Sequence, residues 1–174
     1  MSKYTRRATP RRVIQGIIVN HELQWFEVRV RQLHSVVDVF VILESTIASS
    51  GQAKNLTFYD AFQDGFLKEF QHKILYVKLD DIPQDYIDDG WRLEMYLRQY
   101  WSQNGLKRIK NLQDDDLIMN FDADEIPTIE VCISKISKIN KTTLSEMKIE
   151  QRIKDFDNEI KVENRNFHHI NVFF

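Results

Sequence analysis

Three carboxylates close a short apolar run. Leu117-Ile118-Met119-Asn120-Phe121 leads into Asp122-Ala123-Asp124-Glu125, and Ile126-Pro127 ends the segment. The run is too short for a helix and reads as a buried strand. Pro127 has no N–H to offer a ladder, so the strand ends before it. On an extended backbone, side chains two residues apart share one side, which would bring the Asp122 and Asp124 carboxylates together. Such a pair suits one hard divalent cation, with water or phosphate oxygens in its other positions. The other reading of the same residues is a solvated acidic turn after a strand.

The elements that would position this segment alternate along the chain. Val13 to Asn20 is β-branched and apolar and predicts a first strand, with Asn20 as N-cap of the helix that follows. That helix carries Leu23, Phe26, Val30 and Leu33 on one stripe, with Glu22, Glu27, Arg29 and Arg31 mostly on other faces. Val36 to Leu43 is a nearly continuous apolar run that meets Glu44, as expected of a strand covered on both faces. Phe58, Phe62, Phe66 and Phe70 recur every four residues and predict one helix with an aromatic, core-facing stripe. Ile74 to Leu79 is a third strand, ending at Asp80, with Lys73 before it facing solvent. A long amphipathic helix follows, capped by Asp88 or Asp89, with Trp91, Met95, Tyr96, Tyr100 and Trp101 apolar. Gly105 interrupts it, and Gln113 to Asp116 reads as a solvated turn.

The βαβαβαβ alternation predicts an α/β fold with a doubly wound parallel sheet. Right-handed crossovers would place Asn20, Glu44, Asp80 and Asp122 on one carboxyl edge, opening into one crevice, where ligands bind in such sheets. Beyond Pro127 the pattern weakens. A helix is expected within Ile129 to Ile139, and His168-His169 is not expected to bind a ligand. The final Val172-Phe173-Phe174 reads as a strand of an unfinished sheet, so truncation on the C-terminal side is expected. Three segments result: a flexible basic leader, 1–12; an α/β domain, 13–130; and a C-terminal segment, 131–174, packing on the same domain.

Composition narrows the function classes. With 174 residues, 43% of them apolar, the chain suits one domain. A net charge of −2 gives no general attraction to nucleic acid or anionic membrane. Lys3, Arg6, Arg7, Arg11 and Arg12 make the leader locally basic, a flexible arm rather than a nucleic-acid contact. No run is long enough to span a bilayer and no signal-peptide core follows the leader, so the sequence as written reads as soluble and cytosolic. The single cysteine, Cys132, excludes an internal disulfide and is expected in the core. Two N-x-T sequons, at Asn55 and Asn140, matter only in a secretory compartment.

Several motifs in order carry a family resemblance: Asn20-His21-Glu22-Leu23, Glu27-Val28-Arg29, Val36-Val37-Asp38-Val39-Phe40-Val41, Glu44-Ser45, Gly51, His72-Lys73-Ile74-Leu75-Tyr76-Val77, Gly90-Trp91, Tyr96-Leu97-Arg98 and Asp122-Ala123-Asp124-Glu125-Ile126-Pro127. Together they resemble glycosyltransferase family 17 over about Val13 to Glu130, with no clear similarity after that. The resemblance implies a GT-A-like nucleotide-sugar fold, UDP-N-acetylglucosamine as donor and a β-linked mannose of an N-glycan core as glycan acceptor. It implies inversion, with Mn2+ or Mg2+ held by Asp122 and Asp124. It would place the chain in the Golgi if a membrane anchor belonged to it. Asn20, Glu44, Asp80 and Arg98 are then the donor-binding candidates. Glu125 is a candidate for orienting a metal water or a sugar hydroxyl, and no general base is assigned. Two other classes remain open: a haloacid-dehalogenase-like Mg-dependent phosphatase, with Asp122 as nucleophile, and a non-catalytic remnant that binds a nucleotide sugar. Truncation would leave UDP binding intact and sugar transfer poor.

Overall fold

The computed structural model describes residues 12–114, 116–132 and 171–173. Four strands come from the first 120 residues: β1 Val13–Val19, β2 Val39–Ser45, β3 Ile74–Leu79 and β4 Leu117–Asn120. A fifth, β5 Asn171–Phe173, joins the far side of β4. The order is β3-β2-β1-β4-β5, and every pairing is parallel. β1, β2 and β4 are almost wholly buried, as their unbroken apolar runs require.

Both faces of the sheet are covered. Val13, Ile17 and Val19 of β1 face α1 (Leu23–Leu33) and α2 (Thr57–Gln63), packing on Phe26, Val30, Leu33 and Phe58. Ile14 faces the other way, toward α4 (Gly90–Tyr100), with Leu93, Leu97 and Trp101. A short helix, α3 (Gln84–Ile87), precedes α4. The alternation of β1 thus splits the core into two layers. Crossovers on opposite faces make the chain diverge at β1 and β4. That divergence is the switch point, where a crevice opens beyond the carboxyl ends.

Five local expectations are corrected. β2 begins at Val39, because the N–H groups of Val36 and Val37 bond back to Leu33 O and finish the helix turn. The aromatic stripe is not one helix: α2 ends at Gln63, Gly65 takes φ +90° and Leu67 φ +53°, and 3-10 turns follow over Lys68–Lys73. The rings still converge, with Phe58 5.8 Å from Phe62 and 6.2 Å from Phe66. Gln113 to Asp116 is not a solvated turn at its last residue. Asp116 is buried and accepts from Arg12 Nη2 at 2.5 Å, Arg12 Nε at 3.1 Å and Gln113 N at 3.0 Å. Arg12 is therefore a fixed part of the domain, not of a flexible arm. Lys73 also turns inward, donating to His34 O at 2.7 Å and Val37 O at 2.9 Å.

Cys132 is buried in the core, as expected. Asp89 is the N-cap of α4 and accepts from the N–H groups of Trp91 and Arg92. Trp91, expected in the apolar stripe, is 69% exposed instead. Past Tyr100 the helix widens into a π turn, Trp101–Gly105. His168-His169, Asn140 and most of the helix expected from Ile129 lie outside the described residues. Among those described, no helix is long and apolar enough to cross a membrane.

Candidate functional site

β4 ends at Asn120, in register with Gly16, so β1 runs on to Val19 beside an open flank. The acidic segment turns off there. Its backbone is not extended: Glu125 N–H bonds to Asp122 O at 3.0 Å and closes a tight turn. The argument from alternation on an extended chain therefore does not hold for Asp122 and Asp124. Both residues sit on that turn instead.

Two arginines hold this turn from opposite faces of the sheet. Arg29, on α1, is fully buried. Its Nη2 donates to the main-chain carbonyls of Asp122, of Ala123 at 3.0 Å and of Glu125 at 2.8 Å. Burial pulls the guanidinium down to about 10, against the opposing pull of Glu125, Asp124 and Asp122, so it stays charged near neutrality. The expectation that Arg29 lies on an outer face is wrong, and the spacing already held the signal. Phe26, Arg29, Val30 and Leu33 follow the i, i+3, i+4, i+7 pattern of a buried stripe.

Arg98, on α4, grips the side chain instead. Its Nη2 lies 2.6 Å from Asp122 Oδ1 and 2.7 Å from Glu94 Oε1. Burial alone would lower the Arg98 pKa; its hydrogen bonds to Glu94 and Asp122 outweigh burial and raise it. Asp122 nonetheless keeps 57% of its side chain exposed, and Asp124 and Glu125 are exposed.

The other candidates separate. Asn20 follows β1 at the same edge and is half-buried. Its Nδ2 donates to Ser49 Oγ at 3.3 Å, and its carbonyl accepts from Lys54 Nζ and Thr57 Oγ1, each at 3.3 Å. It does not cap α1: Glu22 stands at that position, and its carboxylate accepts from Asn20 N and His21 N. Asn20 Oδ1 is buried with no partner among the described residues. Beside it a cleft of about 410 Å3 is lined by His21, Ala53, Lys54, Asn55 and Thr57. Burial lowers the Lys54 pKa, against the pull of Glu44 and Glu22.

Glu44 reaches the carboxyl edge but turns into the protein. It is fully buried, and its oxygens accept from Phe58 N at 2.8 Å, Tyr59 N at 3.0 Å and Tyr76 Oη at 2.9 Å. It thus satisfies the first N–H groups of α2, which has no side-chain cap of its own. Burial and the bond to Glu44 raise the Tyr76 pKa far above its ordinary value. The expectation that Glu44 opens into a common cleft with Asn20 and Asp122 is therefore corrected. Asp80 ends β3 at the sheet margin, exposed and paired with Lys78 at 2.7 Å, a strand beyond β2 from the crevice.

The donor set has the chemistry a hard cation needs: two accessible carboxylates on one clamped turn. Among the described residues no group of three His, Cys, Asp or Glu side chains stands ready as a metal site. Substrate or solvent oxygens would have to complete the coordination.

Compared with known proteins, the chain matches glycosyltransferase family 17 over residues 1–165. That match extends past Glu130, where the resemblance read from the motifs stops. The chain is 43% identical over 121 residues to β-1,4-mannosyl-glycoprotein 4-β-N-acetylglucosaminyltransferase of Homo sapiens, covering 70% of this chain and 23% of that protein. The Rattus norvegicus protein of the same name is 42% identical over 121 residues, with 70% and 22% covered. The aligned region thus spans less than a quarter of these relatives. No solved structure gives a significant match to the chain.

Proposed function

Because this chain belongs to glycosyltransferase family 17, we propose that it acts as an inverting N-acetylglucosaminyltransferase of the GT-A type. On this reading the donor is UDP-N-acetylglucosamine and the acceptor a β-linked mannose of an N-glycan core; the names of its relatives give an N-acetylglucosaminyltransferase acting on a β-1,4-mannosyl-glycoprotein. The observation that carries this reading is the acidic turn at the switch point, clamped by Arg29 and Arg98 with Asp124 left accessible. Family membership sets aside the phosphatase alternative.

The donor fits across the end of β1. Strands lie about 4.8 Å apart, so passing from the β2 side of β1 to its β4 side covers about 10 Å, on the scale of a nucleoside diphosphate. The uridine belongs in the cleft beside Asn20, where Lys54 supplies positive charge. The diphosphate then lies toward Asp122 and Arg98. A divalent ion, when bound, would be held by Asp122 and Asp124 and would neutralise charge on the diphosphate.

In the reaction an acceptor hydroxyl oxygen bonds to C1 of the sugar while the bond from C1 to the β-phosphate oxygen breaks. The electron pair leaves on UDP, and the hydroxyl proton passes to a general base. Arg98 supplies a fixed cation for the leaving diphosphate. Arg29 keeps the turn in place, and Glu125, at the end of the turn, orients a sugar hydroxyl. Glu44 and Asp80 have no part in this arrangement.

Arg98 is ion-paired to Asp122, so its removal has two opposite effects. In Arg98→Ala, Mn2+ alone is expected to bind more tightly, while UDP in the presence of Mn2+ weakens by about tenfold or more through loss of a charge-assisted bond. Isothermal titration of each ligand checks this. UDP affinity equal to wild type would remove Arg98 from the donor site.

A further inference from the structure

Beyond the donor site, we infer that Trp91 is the stacking platform for the acceptor saccharide. The inference rests on the glycosyltransferase reading and adds the place where the second substrate lies. Trp91 is 69% exposed, the most open of the large apolar side chains among the described residues. It stands in the first turn of α4, which Asp89 fixes by accepting Trp91 N–H at 3.0 Å. An indole left open at a helix start offers a large, rigid contact surface to a ligand.

Its position follows from helix geometry. Seven residues separate Trp91 from Arg98, which is within about 20° of two full turns and about 10.5 Å along the axis. Both therefore lie on one stripe, opposite the buried Leu93 and Leu97. Arg98 touches the carboxylate of Asp122, and α4 runs back from the carboxyl edge of the sheet. Trp91 thus stands outward from the acidic turn, on the rim of the crevice. A second contact path agrees. A Cβ on Gly90 would lie 3.1 Å from Ser49 O, and Ser49 Oγ bonds Asn20 Nδ2. The start of α4 therefore borders both the Asn20 end and the Asp122 end of the donor site.

The ligand class follows from the chemistry. A pyranose has one face of axial C–H bonds, which packs on the electron-rich face of an indole, while its hydroxyls stay hydrated. β-linked mannose has such a face. Trp25 is the other strongly exposed indole. It rides on α1, whose Arg29 meets only main-chain carbonyls of the turn, so it is not assigned to the acceptor.

The experiment titrates a soluble N-glycan core oligosaccharide, carrying its β-linked mannose, into protein saturated with UDP and Mn2+, followed by saturation-transfer NMR. UDP is titrated into the same samples by calorimetry. Trp91→Ala should weaken oligosaccharide binding by about tenfold, and Trp91→Phe, which keeps a ring, by about threefold or less. UDP affinity should be unchanged in both. Oligosaccharide binding by Trp91→Ala equal to wild type would overturn the inference, as would a loss seen in Trp25→Ala but not in Trp91→Ala. Absence of oligosaccharide binding to wild type that does bind UDP would also overturn it. Failure of wild type to bind UDP would instead remove the glycosyltransferase reading itself, and this inference with it.

Discussion

Replacing Arg29 by methionine is expected to destabilise the protein by up to about 3 kcal/mol, the upper end of the range for leaving hydrogen-bond partners unsatisfied. Three main-chain carbonyls of the acidic turn share its Nη2, and no other side chain donates to them among the described hydrogen bonds. Methionine fills much of the volume but offers no donor, so those carbonyls lose a charge-assisted partner. Nor is lysine a conservative replacement, because it cannot reproduce the planar fork. Arg29→Lys should therefore keep most of the fold and still loosen the turn, weakening Mn2+-dependent UDP binding. Urea unfolding of both variants, with the slope monitored, separates the effects. A loss below about 1 kcal/mol for Arg29→Met, the ordinary size for a substitution without special cause, would mean the turn holds itself.

An equally large effect is expected at Gly16, in the middle of β1. A Cβ there would fall 2.0 Å from Cζ2 and 2.3 Å from Cε2 of Trp101. The ring cannot retreat easily. It is buried, and its Nε1 donates to Val41 O at 3.0 Å on the neighbouring strand. Close approach of an indole to bare backbone is why this strand interior tolerates glycine. Gly16→Ala should cost about 3 kcal/mol or more, at or beyond the upper end for overpacking, because the ring and its hydrogen bond are displaced together. Trp101→Leu alone should also destabilise, through lost packing. The double variant should be much less unstable than the sum, since leucine vacates the space alanine needs. Strict additivity in that cycle would contradict the account.

Much of this architecture was legible in the chain. Leu117–Asn120 and Ile74–Leu79 are strands where their apolar runs end in polar residues. The edge they share follows from helices between parallel strands. The failures have physical causes. Val36 and Val37 are apolar enough for a strand, but their N–H groups complete a helix turn. A four-residue phenylalanine spacing imitates a helix, yet Gly65 with φ +90° breaks it while leaving the rings in one cluster. Glu44 and Asp116 could not be told from ligand carboxylates by sequence. Whether an acid meets a substrate, a helix start or Arg12 depends on loops that periodicity does not describe. Arg29 could have been found, because it sits within the apolar stripe of α1. The turn of Asp122 to Glu125 could not, since nothing in the residue order separates it from an extended segment.

The central claim is that the clamped acidic turn binds a nucleotide diphosphate through a divalent ion. Calorimetric titration of UDP, with and without Mn2+, tests it on the wild type and on Asp124→Asn. The substitution removes one charged oxygen donor from a turn that Arg29 and Arg98 hold through other residues, so folding should be unaffected. Binding should require Mn2+ in the wild type. It should weaken by about tenfold or more in Asp124→Asn, the size typical of disturbing a metal site. UDP affinity that ignores Mn2+, or that is the same in Asp124→Asn, would show the segment to be a solvated turn and would contradict the account.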